Sequence, residues 1–104
     1  MEIKLSELLE IVKTKNKNSH SFVVGEQYLI RTVTFFYTGR LKSVTDTDLV
    51  LSNAAWIADT GRFYNALESG KFDEIEPFTS DVIVARGGII DATIWNNNLP
   101  KDQK

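Results

Sequence analysis

The chain predicts a mainly β (α+β) domain: a small antiparallel barrel with an N-terminal helix and a helical insertion before the last hairpin. Three observations predict it. Residues 22–56 and 82–95 are rich in β-branched and aromatic side chains, the first residues carry apolar positions at helical spacing, and the stretch between the two β blocks keeps no strand period. With 104 residues, 42% of them hydrophobic, the chain suffices for one domain over residues 1–95 built around one core.

Leu5, Leu8, Leu9 and Val12 fall at i, i+3, i+4 and i+7 with no glycine or proline between them, so residues 3–13 read as a short amphipathic helix. The following Lys13 to Ser21 is wholly polar and rich in turn formers, and residues 1–20 together make a helix and linker. In residues 22–56, Phe22-Val-Val, Tyr28-Leu-Ile, Val33-Thr-Phe-Phe-Tyr37, Leu41, Val44 and Leu49-Val-Leu51 read as strands. Gly25, Thr38-Gly39 and Thr45-Asp-Thr-Asp48 supply the bends between them. Leu49 and Leu51 point to one face of their strand, and Asp48, Val50 and Ser52 to the other.

Residues 57–81 form an acidic insertion. Asp59 or Thr60 can cap a helix there, Phe63, Ala66 and Leu67 give it an apolar face, and Gly70 closes it. Phe72, Ile75 and Phe78 can tuck down, so that the insertion covers one mouth of the barrel. Val82 to Arg86, a Gly87-Gly88 turn and Ile89 to Trp95 read as the C-terminal hairpin, because paired glycines readily take the positive φ of a two-residue turn. Residues 96–104, with three asparagines, a proline and alternating charges, read as a flexible tail.

Composition excludes several classes of function. With no cysteine and one histidine, His20, no His/Cys cluster for zinc or transition-metal ligation and no catalytic triad independent of that ring can be assembled. Asp46, Asp48 and Asp91 do not show the cleft a carboxylate enzyme needs, so neither an enzyme nor a cofactor is expected. No apolar run approaches the roughly 18 residues that span a bilayer, and the start is too charged for a signal peptide; a cytoplasmic protein without a membrane partner is expected. The net charge is −2, but residues 57–81 alone carry −4, and no basic stripe of the kind that holds nucleic acid through phosphates is present.

Gly39-Arg-Leu41, followed by Val44, an acidic turn and Leu49-Val-Leu51, looks like the first signature of the Sm-like (LSm/Hfq-type) family of small, SH3-like β-barrels. Val82-Ile-Val-Ala-Arg86-Gly87-Gly88-Ile89-Ile90 is similar to the second. Thr45 stands where that family carries an aspartate, with Asp46 one place later, and Leu49 and Val50 occupy the neighbourhood of its base-pocket asparagine. What the resemblance implies for RNA contact therefore rests on Arg86 and Gly87. It also implies a ring of identical subunits joined edge strand to edge strand, with Arg86 repeated around a central pore. The Tyr28 to Tyr37 stretch and the Ile89 to Trp95 strand lack proline and have few charges, so either can serve as such an edge.

Two functions follow as expectations. One is a non-enzymatic homo-oligomeric Sm-like module binding RNA or a small nucleotide or phosphate ligand, with Arg86, Gly87, Gly88, Arg40 and Lys42 as ligand-binding residues. The other is a structural or assembly protein docking a protein partner through the acidic aromatic insertion, with Trp56, Phe63, Tyr64 and Phe72 at the interface. Each residue also has a plainer role. Arg86 can pair with Asp91 or Asp81, the glycines can simply turn the chain, and Asp46 and Asp48 can cap turn amides. The aromatics, Phe78 and Trp95 among them, can fill the core, and Lys13, Lys15 and Lys17 can belong to a solvated linker.

Overall fold

A computed structural model describes residues 20–104. The expected helix over residues 3–13 and most of the linker, with Lys13, Lys15 and Lys17, lie outside the described residues. The described chain is mainly antiparallel sheet with one short helix. It runs β1 (Gln27–Thr32), β2 (Phe36–Val44), β3 (Asp48–Asp59), α1 (Phe63–Ser69), β4 (Glu74–Pro77), β5 (Val82–Ala85), a 3-10 turn (Arg86–Gly88) and β6 (Ile89–Ile94). The strand order is β4-β3-β2-β1-β6, with β5 also paired to β3.

β3 is 12 residues long and carries two partners in succession on one side, β5 along Asp48–Leu51 and β4 along Ala55–Asp59. Between them the strand breaks its alternation at Asn53, a non-glycine residue at φ 49. Opposite, the β2–β3 register shifts between Thr38 and Arg40. Gly39 sits inside this irregularity, and a Cβ there would lie 2.9 Å from that of Leu51 and 3.3 Å from that of Ala54. Thr38-Gly39 is thus not the expected turn: glycine is used because β3 crosses too close for a side chain.

Alternate residues of β1 feed two cores on opposite faces of the sheet. Tyr28 and Ile30 join Leu41, Leu49, Leu51, Ala54 and Val84, whereas Leu29 joins Ala55, Ile57, Ala66, Phe72, Ile75 and Trp95. Val84 of β5 shares a core with Ile30 although β5 does not pair with β1, so the sheet curls over its first face. The second face is closed by α1 and by Phe72 stacked on Trp95, ring centroids 5.0 Å apart. Both rings are almost wholly buried, and burial of this aromatic area is the main apolar gain on that side.

Other expectations are corrected. Val33 to Tyr37 does not continue the preceding strand. The Thr32 hydroxyl donates to the Phe35 carbonyl at 2.7 Å and accepts from its N–H at 3.0 Å, closing a turn between β1 and β2. β1 is then paired on both sides, so the Tyr28 to Tyr37 stretch offers no free edge. Residues 82–95 form no hairpin, because β5 pairs with β3 and β6 with β1. Gly87 and Gly88 lack positive φ and occupy a 3-10 turn whose Arg86 N–H donates to the Thr47 carbonyl at 2.8 Å.

Helix α1 ends at Gly70, φ 74, as expected, but its N-cap is Arg62 without a side-chain bond; the Asp59 carboxylate accepts from the Gly61 N–H instead. The tail is tied down rather than loose. The Asn97 amide donates to the Leu67 carbonyl left open by the end of α1, the Trp95 indole to Asn98, and Lys104 exchanges two backbone bonds with Ile75 of β4.

Candidate binding surface

The irregularity at Gly39 and Asn53 divides the sheet. One half contains β5, the β2–β3 turn and the expected ligand-binding cations; the other contains β4, α1 and most of the insertion.

In the first half each candidate cation is engaged by its own chain. Arg40 donates to the Gly25 carbonyl at 2.6 Å and the Gln27 side chain at 2.8 Å. Lys42 pairs with Asp81 at 2.7 Å, and this hydrogen bond, more than the Coulombic attraction beside it, raises the lysine pKa. Arg86 pairs with neither Asp81 nor Asp91. It donates to the Thr45 carbonyl at 2.6 Å, its guanidinium carbon 6.0 Å from the Phe22 ring centroid, while Asp91 is taken by Arg31. The three cations therefore hold three separate loops. Thr45, not Asp46 or Asp48, closes the β2–β3 turn, its hydroxyl accepting from the Asp48 N–H at 3.0 Å. A Cβ at Gly87 or Gly88 would meet nothing within 4 Å, so the fold itself does not demand glycine at either.

The second half is different in kind. Tyr37, Trp56 and Glu76 are directly opposite one another on β2, β3 and β4, which sets the three side chains in a row on one face. Phe35 packs edge-on to Trp56 at 4.6 Å, and Phe78 stacks on Tyr37 at 6.1 Å. Phe35 and Phe78 are 39% and 40% exposed, and Trp56 and Tyr37 are partly so. The described chain thus leaves this aromatic row partly exposed.

Carboxylates border it on the β4 side. Asp59 lies directly opposite Glu74 across the β3–β4 ladder, Glu74 falls two positions from Glu76 on the same side of β4, and Asp73 approaches Gly61 beside Asp59. All four acids are exposed. Among the described residues none of them forms an ion pair, the two pairs present being Arg31–Asp91 and Lys42–Asp81. Like charges set directly opposite on a ladder are destabilising, and no ion pair among the described residues offsets this one. The Glu76 carboxylate accepts one hydrogen bond, from the Gln103 amide at 2.9 Å.

The four residues expected at a protein interface do not share one surface. Trp56 belongs to the row. Phe63 lies against Phe36 at 5.7 Å, and the Tyr64 hydroxyl, its pKa raised by the hydrogen bond to Glu68, projects from α1. Phe72, 1% exposed, is a core residue and offers no contact surface. Phe35, Tyr37 and Glu76 were not singled out by the sequence. The i, i+2 spacing of Phe35 and Tyr37 signals a shared face, but their meeting with Trp56 and Glu76 depends on long-range register.

A polar cleft of about 640 Å³ lies between the tail and β2, lined by Gln27, Arg40, Asn53, Asn98 and Lys101 among others. Among the described residues no three His, Asp or Glu side chains converge as metal ligands, and no helix is long and apolar enough to cross a membrane. No protein-family model matches this chain, and a search of curated proteins returns no match.

Proposed function

We propose that this chain is a non-enzymatic binding module that docks a protein partner on the aromatic face of its sheet. The observation that carries this reading is the row of Phe35, Trp56, Tyr37 and Phe78, in which Phe35 and Phe78 are exposed and Trp56 and Tyr37 remain partly so among the described residues. Tyrosine and tryptophan are the side chains on which protein interfaces concentrate their binding energy, whereas Arg40, Lys42 and Arg86 are already bonded within the chain. The test is capture of interacting proteins by the full chain and by Trp56→Ala and Phe78→Ser variants, with circular dichroism confirming that both remain folded. Specific partners lost in both variants support the reading. A partner set unchanged by either contradicts it.

A second reading is favoured by the strand edges. Among the described residues the outer edges of β5 and β6 are unpaired, and they carry exposed isoleucines, Ile83 at 68% among them. Such edges are templates for pairing with another chain. In this reading the curled sheet is an Sm-like, SH3-like barrel with the amphipathic segment 3–13 as its N-terminal helix, and copies join β5 to β6 in a homo-oligomeric ring. Arg86, Gly87 and Gly88, supported by Arg40 and Lys42, then present a repeated positive rim to RNA or a smaller phosphate ligand in the cytoplasm. Native mass spectrometry, with RNA oligomers titrated at two salt concentrations, tests it. A closed oligomer that binds RNA more tightly at low salt supports it, and a monomer that binds none removes it.

A further inference from the structure

The carboxylates beside the aromatic row say which partner the face fits. Trp56 has an aromatic neighbour on one side, Phe35, and a carboxylate opposite on the other, Glu76. Glu74, Asp59 and Asp73 extend the negative rim beyond Glu76, and none of the four forms an ion pair among the described residues. A π-face bordered by carboxylates attracts a cation on two counts, through the ring quadrupole and through charge. An arginine meets both, because its planar guanidinium stacks on a ring while its N–H groups reach a carboxylate. The row crosses β2, β3 and β4, and the Ile75 position on the outer edge of β4 is already bonded to Lys104, so recognition falls to side chains on the face.

We propose that this face docks an extended, arginine-bearing segment of a partner protein, a guanidinium lying over Trp56 and reaching Glu76, with further basic residues meeting Glu74, Asp59 and Asp73. The proposal rests on the docking reading above and adds the partner's chemistry. A peptide already extended in the polyproline conformation meets the face with the least loss of chain entropy.

The experiment titrates the full chain by calorimetry at low salt with three peptides, alternating proline with arginine, serine or glutamate. The arginine peptide binds, the glutamate peptide does not, and the serine peptide binds at least about tenfold more weakly. Trp56→Ala weakens the arginine peptide about tenfold, Glu76→Gln, at an exposed position, weakens it roughly threefold to tenfold, and Asp46→Asn, on the distant β2–β3 turn, leaves it unchanged. Serine and arginine peptides bound equally, with Glu76→Gln silent and Trp56→Ala disruptive, overturn the basic chemistry and leave the docking reading standing. Arginine binding indifferent to both Trp56→Ala and Glu76→Gln overturns the site, and the absence of binding by any peptide overturns the proposal. If replacing Lys13, Lys15 and Lys17 together by glutamine raises affinity for the arginine peptide tenfold or more, the chain's own lysines are the occupant and the partner assignment fails.

Discussion

Two halves of one sheet, separated by Gly39 and Asn53, treat their charged residues in opposite ways. In the half containing the β2–β3 turn and the 3-10 turn, Arg40, Lys42 and Arg86 each bond to a carbonyl, an amide or a carboxylate of the same chain. In the half built on β4 and the insertion, Asp59, Asp73, Glu74 and Glu76 remain exposed without an ion pair among the described residues, beside aromatic rings that the described chain leaves partly exposed. Net charge does not reveal this. What matters for recognition is how far a group has been satisfied by its own fold: Arg40, Lys42 and Arg86 are bonded into loops, whereas Asp73 and Glu74 make no side-chain hydrogen bond among the described residues and Asp59 and Glu76 accept one each.

Trp95→Ala removes the ring that closes the insertion half against Phe72, and a loss of about 3–5 kcal/mol is expected for a buried tryptophan, read as a lower midpoint in chemical denaturation. Gly39→Ala places a methyl 2.9 Å from Leu51 Cβ where the halves meet; such overpacking costs about 1–3 kcal/mol, and hydrogen exchange should show both halves loosened. Thr38→Val acts in the other direction. The Thr38 hydroxyl is buried and lacks a hydrogen-bond partner among the described residues, so an apolar group of the same shape should raise stability by about 1 kcal/mol in thermal melts.

Smaller effects sharpen the electrostatic contrast. Asp59→Asn keeps an acceptor for the Gly61 N–H but relieves the repulsion with Glu74, and is expected to stabilise by about 0.2–1 kcal/mol at neutral pH while weakening capture of a basic partner. Denaturation at low and high salt checks it, the gain shrinking as salt screens the pair. The Lys42–Asp81 pair gives the smallest effect. Because the hydrogen bond to Asp81 raises the Lys42 pKa above its ordinary 10.5, its contribution is fully present below that value. It is lost as pH rises through the higher value of the folded state. A Lys42→Gln variant should lose this alkaline dependence and change little at pH 7.

Local physics made much of the sheet legible in the sequence. The alternation of Leu49 and Leu51 with Asp48, Val50 and Ser52 marked β3, and Gly70 marked the end of α1, because each depends on neighbouring residues alone. The β1–β2 turn was not legible: Val33, Thr34 and Phe35 have strand composition and no glycine, and the turn is closed by the Thr32 backbone and hydroxyl together. Gly39 read as a turn former because sequence cannot show that another strand crosses at its α-carbon. The supposed hairpin failed because β5 and β6 find partners far away in the chain. The same limit applied to the candidate site. Trp56 was visible as an aromatic, but its row with Tyr37 and Glu76 exists only through the registers of three strands.

On the proposed reading the aromatic, acidic half of the sheet is the receptive one. Backbone and indole NMR shifts of the isotopically labelled full chain, followed while the arginine–proline peptide is added, test it most directly. The largest changes are expected at Tyr37, Trp56, Glu76 and Phe78, with Arg40, Arg86 and Gly87 unmoved. Changes centred on Arg86 and Gly87, with the Trp56 indole silent, would contradict it.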